Sequence, residues 1–125
     1  MSGVEPVKIE MVPVSRHEKN LRAMRCVVSQ VQPVTLHHCH GGSMLEVIGG
    51  NPGMGQRSNP FYQIPLWAKY HVGRFGIDTG MGEIKSVEQW EERFGTQMDH
   101  LKEINEALDY NLWFQAGMWW AENRK

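Results

Sequence analysis

The run Val34-Thr35-Leu36-His37-His38-Cys39-His40-Gly41-Gly42 is β-branched and apolar at its start and ends in histidines and a glycine turn. Read as a strand, it presents two imidazoles side by side where it stops. Adjacent strand residues leave opposite faces, so at a strand end one ring can hold a cation while its uncoordinated neighbour faces a water. Histidine suits both tasks, because its ordinary pKa lies near neutrality and neutral imidazole is a good ligand for transition metals. His-His pairs also occur on surfaces without a role, so the pair needs partners. His71 and Asp78 are the candidates: a fold bringing a helix against a hairpin would set His37, His71 and Asp78 round one cation. His40 and Cys39 are alternatives, and spacing does not decide between them. His17 and His100 fall on predicted helices at positions read as exposed, and are expected to be surface residues.

The elements that must position these groups follow from local signals. Residues 1–14 carry Pro6 and Pro13 without a stable period and read as an extended arm. Ser15 is placed to cap a helix with Glu18 completing a capping box, Leu21 and Met24 forming its apolar side and Arg16, Lys19, Arg22 and Arg25 making it basic. Cys26-Val27-Val28 reads as a strand and 29–33 as a turn, so that 26–28 and 34–38 form a hairpin. Six glycines and Pro52 between Gly41 and Asn59 mark a long loop of the kind that is usually functional or mobile. Phe61 to Leu66 reads as a strand, Trp67 to Val72 as a short helix carrying His71, and 73–82 as a glycine-punctuated loop carrying Asp78. Ser86 opens a helix that Gly95 closes; Thr96 caps another with Met98, Leu101, Ile104 and Leu108 at helical spacing. Trp113, Phe114, Trp119 and Trp120 end the chain as an aromatic stripe suited to a core or a partner interface.

The 125 residues, 41% hydrophobic and 22% charged, are one domain's worth of an ordinary globular protein. No apolar run approaches a membrane span and no signal-peptide layout opens the chain, so the expectation is no membrane and a cytoplasmic location. Cys26 and Cys39 are expected as free thiols. Residues 1–80 hold eight Lys and Arg against five Asp and Glu, while 81–125 hold five against nine. A positive face near the histidine loop would suit a polyanion.

Taken in order, the basic helix, Leu36-His37-His38, the glycine-rich loop with Gly53-Met54-Gly55, Ile64-Pro65-Leu66, His71, Gly76-Ile77-Asp78, Trp90 and Phe94-Gly95 resemble the phage-encoded HNH nucleases. The resemblance is to the RecA-dependent recombination-enhancement nucleases and related small phage proteins, and it covers about Ser15 to Gly95. It implies an α+β chain with a ββα-metal (HNH, or His-Me finger) core, a basic N-terminal helix and a C-terminal helical extension, divided as arm 1–14, core domain 15–95 and aromatic-rich extension 96–125. By position, His37 would be the first metal ligand, His38 the general base, His71 the helix ligand, and Asp78 would stand where relatives often have a second histidine. A carboxylate there favours one Mg²⁺ or Mn²⁺, with Zn²⁺ also admitted. Relatives often carry two Cys-x-x-Cys knuckles round a structural zinc; here Val27 to Ser29 follow Cys26, and Trp67 and Tyr70 stand at the second knuckle, where they would fill its volume. Asn59 is the residue nearest the central Asn of such motifs.

The function so implied is a metal-dependent DNA endonuclease or nickase hydrolysing phosphodiesters in phage recombination or DNA processing, with Arg57, Lys69 and Arg74 as phosphate contacts. The alternative is a catalytically degenerate HNH-fold protein that binds DNA or a recombination protein, with the Trp-rich helix as that interface or as a homodimer contact. A third reading is a small interaction domain whose histidines are incidental.

Overall fold

A computed structural model describes residues 10–46, 59–78 and 82–123. In chain order the elements are α1 (Val14–Arg22), β1 (Thr35–His38), a 3-10 helix (Gly42–Glu46), β2 (Gln63–Leu66), α2 (Ala68–His71), α3 (Val87–Phe94), α4 (Gln97–Ala107) and α5 (Leu112–Asn123). The chain is therefore α+β, with helices round one small sheet. Among the described residues no helix is long and apolar enough to cross a membrane.

The sheet differs from the expected hairpin. β1 pairs antiparallel with β2, placing His37 opposite Ile64 and His38 opposite Gln63. Residues 26–28 form no strand, because the chain closes on itself there: Cys26 N donates to Val31 O and Gln30 N to Cys26 O. A single bond, Val27 N to Pro65 O, joins this turn to β2. Pro65 has no N–H to return, so the outer edge of β2 cannot build a ladder with a third strand.

Period-two alternation then sorts the site. Thr35, His37, Ile64 and Leu66 share one face of the sheet, and Leu36, His38, Gln63 and Pro65 share the other. The second face looks toward α1, since Gln63 Nε2 donates to Glu18 Oε2 at 2.9 Å.

The helix ends of the C-terminal half form where local chemistry placed them. Ser86 Oγ accepts from Gln89 N, Thr96 Oγ1 accepts from Asp99 N, and Gly95, at a φ of 96°, makes the reversal between α3 and α4. α1 does not follow its expected start. Pro13 is its N-cap and Pro13 O accepts from His17 N, so Ser15 lies inside the first turn and no capping box forms.

The buried apolar side chains make one cluster from Val12 to Ala116 that includes Leu21, Cys26, Cys39, Phe61, Ile64, Leu66, Trp90, Leu101 and Ile104. Both cysteines are buried free thiols. On α5, Leu112 and Ala116 are buried, and Trp113 and Trp119 pack against the core, while Phe114 stays exposed. Trp67 and Tyr70 also pack against it as expected, with Tyr70 stacked on Phe75 and edge-on to Phe94.

Two histidines expected at the surface are buried. His17 and Leu21, four apart on α1, share its inward face. Asn20 donates to Tyr110 Oη, which leaves the phenol proton for His17 Nδ1 at 2.7 Å. His100 donates from Nε2 to Phe94 O and lies edge-on to Trp90.

Burial lowers the His17 pKa from 6.5 to about 4, more than the nearby Phe61 carbonyl and Glu18 raise it. Because the folded value lies below the unfolded one, the stability contributed by neutral His17 is complete above about pH 6.5 and is lost as the pH falls toward 4. Chemical denaturation at pH 7.5 and 4.5 is expected to cost the wild type about 2–3 kcal/mol more than His17→Gln. Equal losses in the two proteins would show that His17 does not titrate in this way.

Candidate metal centre

β1 carries His37 on the inward face of the sheet, fully buried. β2 leads directly into α2, whose last residue is His71. The chain then folds back on α2: Ile77 N donates to Tyr70 O and Asp78 N to His71 O. This return passes so close that a Cβ on Gly76 would lie 2.7 Å from His71 O, which requires glycine there. It brings the Asp78 carboxylate between the histidines.

Asp78 Oδ2 lies 2.8 Å from His37 Nδ1 and 2.9 Å from His71 Nε2, and Oδ1 lies 3.0 Å from His40 Nε2. One ligand atom from each of His37, His71 and Asp78 lies within 4.8 Å of the others, so this group can hold a metal ion. Burial opposes ionisation of Asp78, but its hydrogen bonds with His37, His40 and His71 outweigh that and hold its pKa well below the usual carboxylate range.

The three residues singled out by type thus come together. Of the two alternatives that spacing left open, His40 joins the cluster and Cys39 does not. Cys39 is sealed in the core, where burial, with the charges of Glu91 and Asp78 adding to it, pushes its thiol well above the ordinary range.

His38 takes a different position. It is exposed on the α1 face of the sheet, opposite to His37, and makes no hydrogen bond among the described residues. Its pKa is lowered, chiefly by burial of part of the ring, with Glu18 acting in the opposite sense.

Lys69 and Arg74 are exposed and both approach the Phe75 ring, at 5.2 Å each. Arg74 also donates from Nε and Nη2 to Glu83 Oε1. Arg93, which the sequence reading did not single out, lies 4.8 Å from the same ring and, like Arg74, pairs with Glu83. Arg57 lies outside the described residues, as does most of the glycine-rich loop. Asn59 serves the fold: its side chain donates to Ala116 O and accepts from Phe61 N.

Four residues that the sequence reading missed surround the ligands. Thr35 Oγ1 lies 2.6 Å from His71 Nδ1 and donates to Leu66 O. Gln97, at the start of α4 and fully buried, meets His37 Nε2 at 2.9 Å. Glu91, from α3, accepts from Gln97 N and Nε2 and from Ser43 N and Oγ. Threonine one strand repeat before His37 was a legible signal for a same-face neighbour; nothing local marked Gln97, Glu91 or Ser43.

Comparison with protein-family models, with curated proteins and with solved structures finds no match to this chain.

Proposed function

We propose that this chain is a metal-dependent phosphodiesterase of the ββα type that cleaves or nicks DNA. The observation that carries this reading is the convergence of His37, His71 and Asp78 on one point, from elements in the order strand, loop, strand, helix. The donor set is two imidazole nitrogens and one carboxylate oxygen, and such a set suits Mn²⁺ or Zn²⁺ better than Mg²⁺, which prefers a shell of oxygen. A bound divalent cation would supply Lewis-acid polarisation of a phosphodiester oxygen. Asp78, held ionised, brings the negative charge that retains a cation. Lys69, Arg74 and Arg93 supply positive charge for the DNA backbone, positioning it without reading sequence. His38, the last residue of β1 and outside the ligand set, is the residue we assign as base for the attacking water, although its ring leaves the sheet on the face opposite His37.

The opposite facing of His37 and His38 favours a second reading, in which the frame binds a cation and DNA without cleaving. Plasmid nicking with Mn²⁺, Zn²⁺ and Mg²⁺ added in turn separates the two. Cation-dependent nicking that disappears in His37→Ala supports the first. DNA binding without cleavage in any cation would overturn it in favour of the second.

A further inference from the structure

We infer that Gln97, locked in orientation by Glu91, is a positioning residue that fixes the tautomer of His37 so that Nδ1, and not Nε2, is the ligand atom offered to the cation. The inference rests on the reading of His37, His71 and Asp78 as a cation site and adds the device that prepares it.

The argument is one of hydrogen-bond polarity. A side-chain amide can be turned either way, exchanging its oxygen and nitrogen, so its orientation must be set by partners that play only one role. Gln97 has three such partners. The backbone N–H of His40 can only donate, and it meets Oε1 at 3.1 Å. The backbone carbonyl of His40 can only accept, and it meets Nε2 at 2.8 Å. The Glu91 carboxylate, already receiving Ser43 N, Ser43 Oγ and Gln97 N, accepts from Nε2 at 3.2 Å. Turning the amide over would set like against like in all three places, at a site where unpaired polar groups cannot reach water. Oε1 therefore faces His37.

The remaining contact of Oε1 is His37 Nε2 at 2.9 Å, inside the core. An amide oxygen only accepts, so Nε2 carries a proton and donates. Nδ1 faces Asp78 Oδ2, to which it donates while no cation is bound, and it is the nitrogen whose proton a cation would replace. The same logic runs on the other side of the cluster. Thr35 has one hydroxyl proton and gives it to Leu66 O, so its oxygen accepts from His71 Nδ1 and leaves His71 Nε2 facing Asp78. His37 and His71 thus turn different ring nitrogens, each selected from outside, toward Asp78 Oδ2; both donate to it in the absence of a cation, and a cation bound there would take the place of those protons. Outer partners of this kind fix ring orientation and raise ligand basicity in metal sites.

The packing makes the lock rigid. Glu91 sits so close beneath the glycine turn that a Cβ on Gly42 would overlap its carboxylate, and Gly42 has a φ of +48°. The turn that ends the histidine run, the 3-10 helix, α3 and the start of α4 therefore meet at one carboxylate, and Gln97 transmits that fixed geometry to His37.

The test is Zn²⁺ binding by competition titration, together with long-range ¹H–¹⁵N NMR of the histidine rings, on wild type, Gln97→Met and Glu91→Gln. Met keeps the volume of Gln and removes its polarity. Wild-type His37 is expected to keep a protected Nε2–H with and without Zn²⁺ and to coordinate through Nδ1. Gln97→Met is expected to bind Zn²⁺ about 10–100-fold more weakly and to lose the protected Nε2–H. Glu91→Gln, which can itself donate and so releases the amide, is expected to give a smaller loss of the same kind. Wild-type His37 coordinating through Nε2 would overturn the inference whatever the variants do, including a failure of Gln97→Met to fold. Unchanged affinity and tautomer in a folded Gln97→Met would overturn it while leaving the cation site standing. No Zn²⁺ binding by the wild type would remove the cation site, and this inference with it.

Discussion

Asp78→Asn is expected to abolish the cation-dependent stabilisation of this protein. Asp78 is the one carboxylate among the three imidazoles, with Oδ2 shared by His37 and His71 and Oδ1 held by His40. Asn keeps the shape but removes the charge, and its NH₂ puts a donor where a ligand oxygen stood. Loss of a ligand and of its negative charge should weaken cation binding about 100-fold or more, which is about 2.7 kcal/mol. With the cation at about 100 times its Kd, the wild type gains about 2.7 kcal/mol, a rise in Tm of roughly 10 °C for a domain of this size. The variant should gain close to nothing under the same conditions. Without cation its stability should fall by about 1–3 kcal/mol, because the imidazoles lose a charged partner. The sign of the acid response follows from the same carboxylate. Its folded pKa lies below the ordinary 3.8, so its contribution is complete above about pH 4 and disappears in stronger acid. Thermal melting of both proteins with Mn²⁺, Zn²⁺ or EDTA reads all of this. An undiminished rise in the variant would mean that the cation binds elsewhere.

The parts of this molecule that could be read from the sequence are those in which the determining residues are close in the chain. Ser86, Gly95 and Thr96 act within four residues of themselves, so the boundaries of α3 and α4 followed from cap and turn chemistry. His71 and Asp78 are joined by a short return, and with His37 they are residue types with few uses as a set. β1 was legible as a strand, but its partner was not. Residues 26–28 close on their own turn through Cys26, Gln30 and Val31, and β1 takes its partner from 63–66, a pairing across a long intervening stretch that no local signal marks. His17 misled because a polar residue on a basic helix reads as solvated. What keeps it inside is a phenol 93 residues away, although its spacing from Leu21 did carry a signal of a shared face. Gln97 and Glu91 were invisible for a similar reason. Gln97 is 60 residues from His37, and glutamine and glutamate near a helix end are ordinary in composition and special here only in what they meet. Types and spacing could therefore nominate the ligands, whereas the groups that set their tautomers depend on long-range packing.

On the proposed nuclease reading, His38→Ala is expected to reduce phosphodiester cleavage about 10²–10⁴-fold, the span of a single general base, while leaving cation and DNA affinity within about threefold of wild type, since charged contacts carry most backbone affinity. The split is demanded by where His38 lies. It shares no hydrogen bond with His37, His71 or Asp78 among the described residues, and its strand neighbour on the same face is Gln63, tied to Glu18 on α1. Removing its ring should leave the ligand cluster intact, so the melting response to cation should not change. A structural role would show differently, as a lower Tm with or without cation. Single-turnover nicking at saturating cation and protein separates chemistry from binding, and a His38→Ala rate equal to wild type would rule this histidine out as the base. If the variant loses cleavage and retains the cation response, the two faces of β1 divide the work, with His37 fixed inward as a ligand and His38 left outside the ligand set to move a proton.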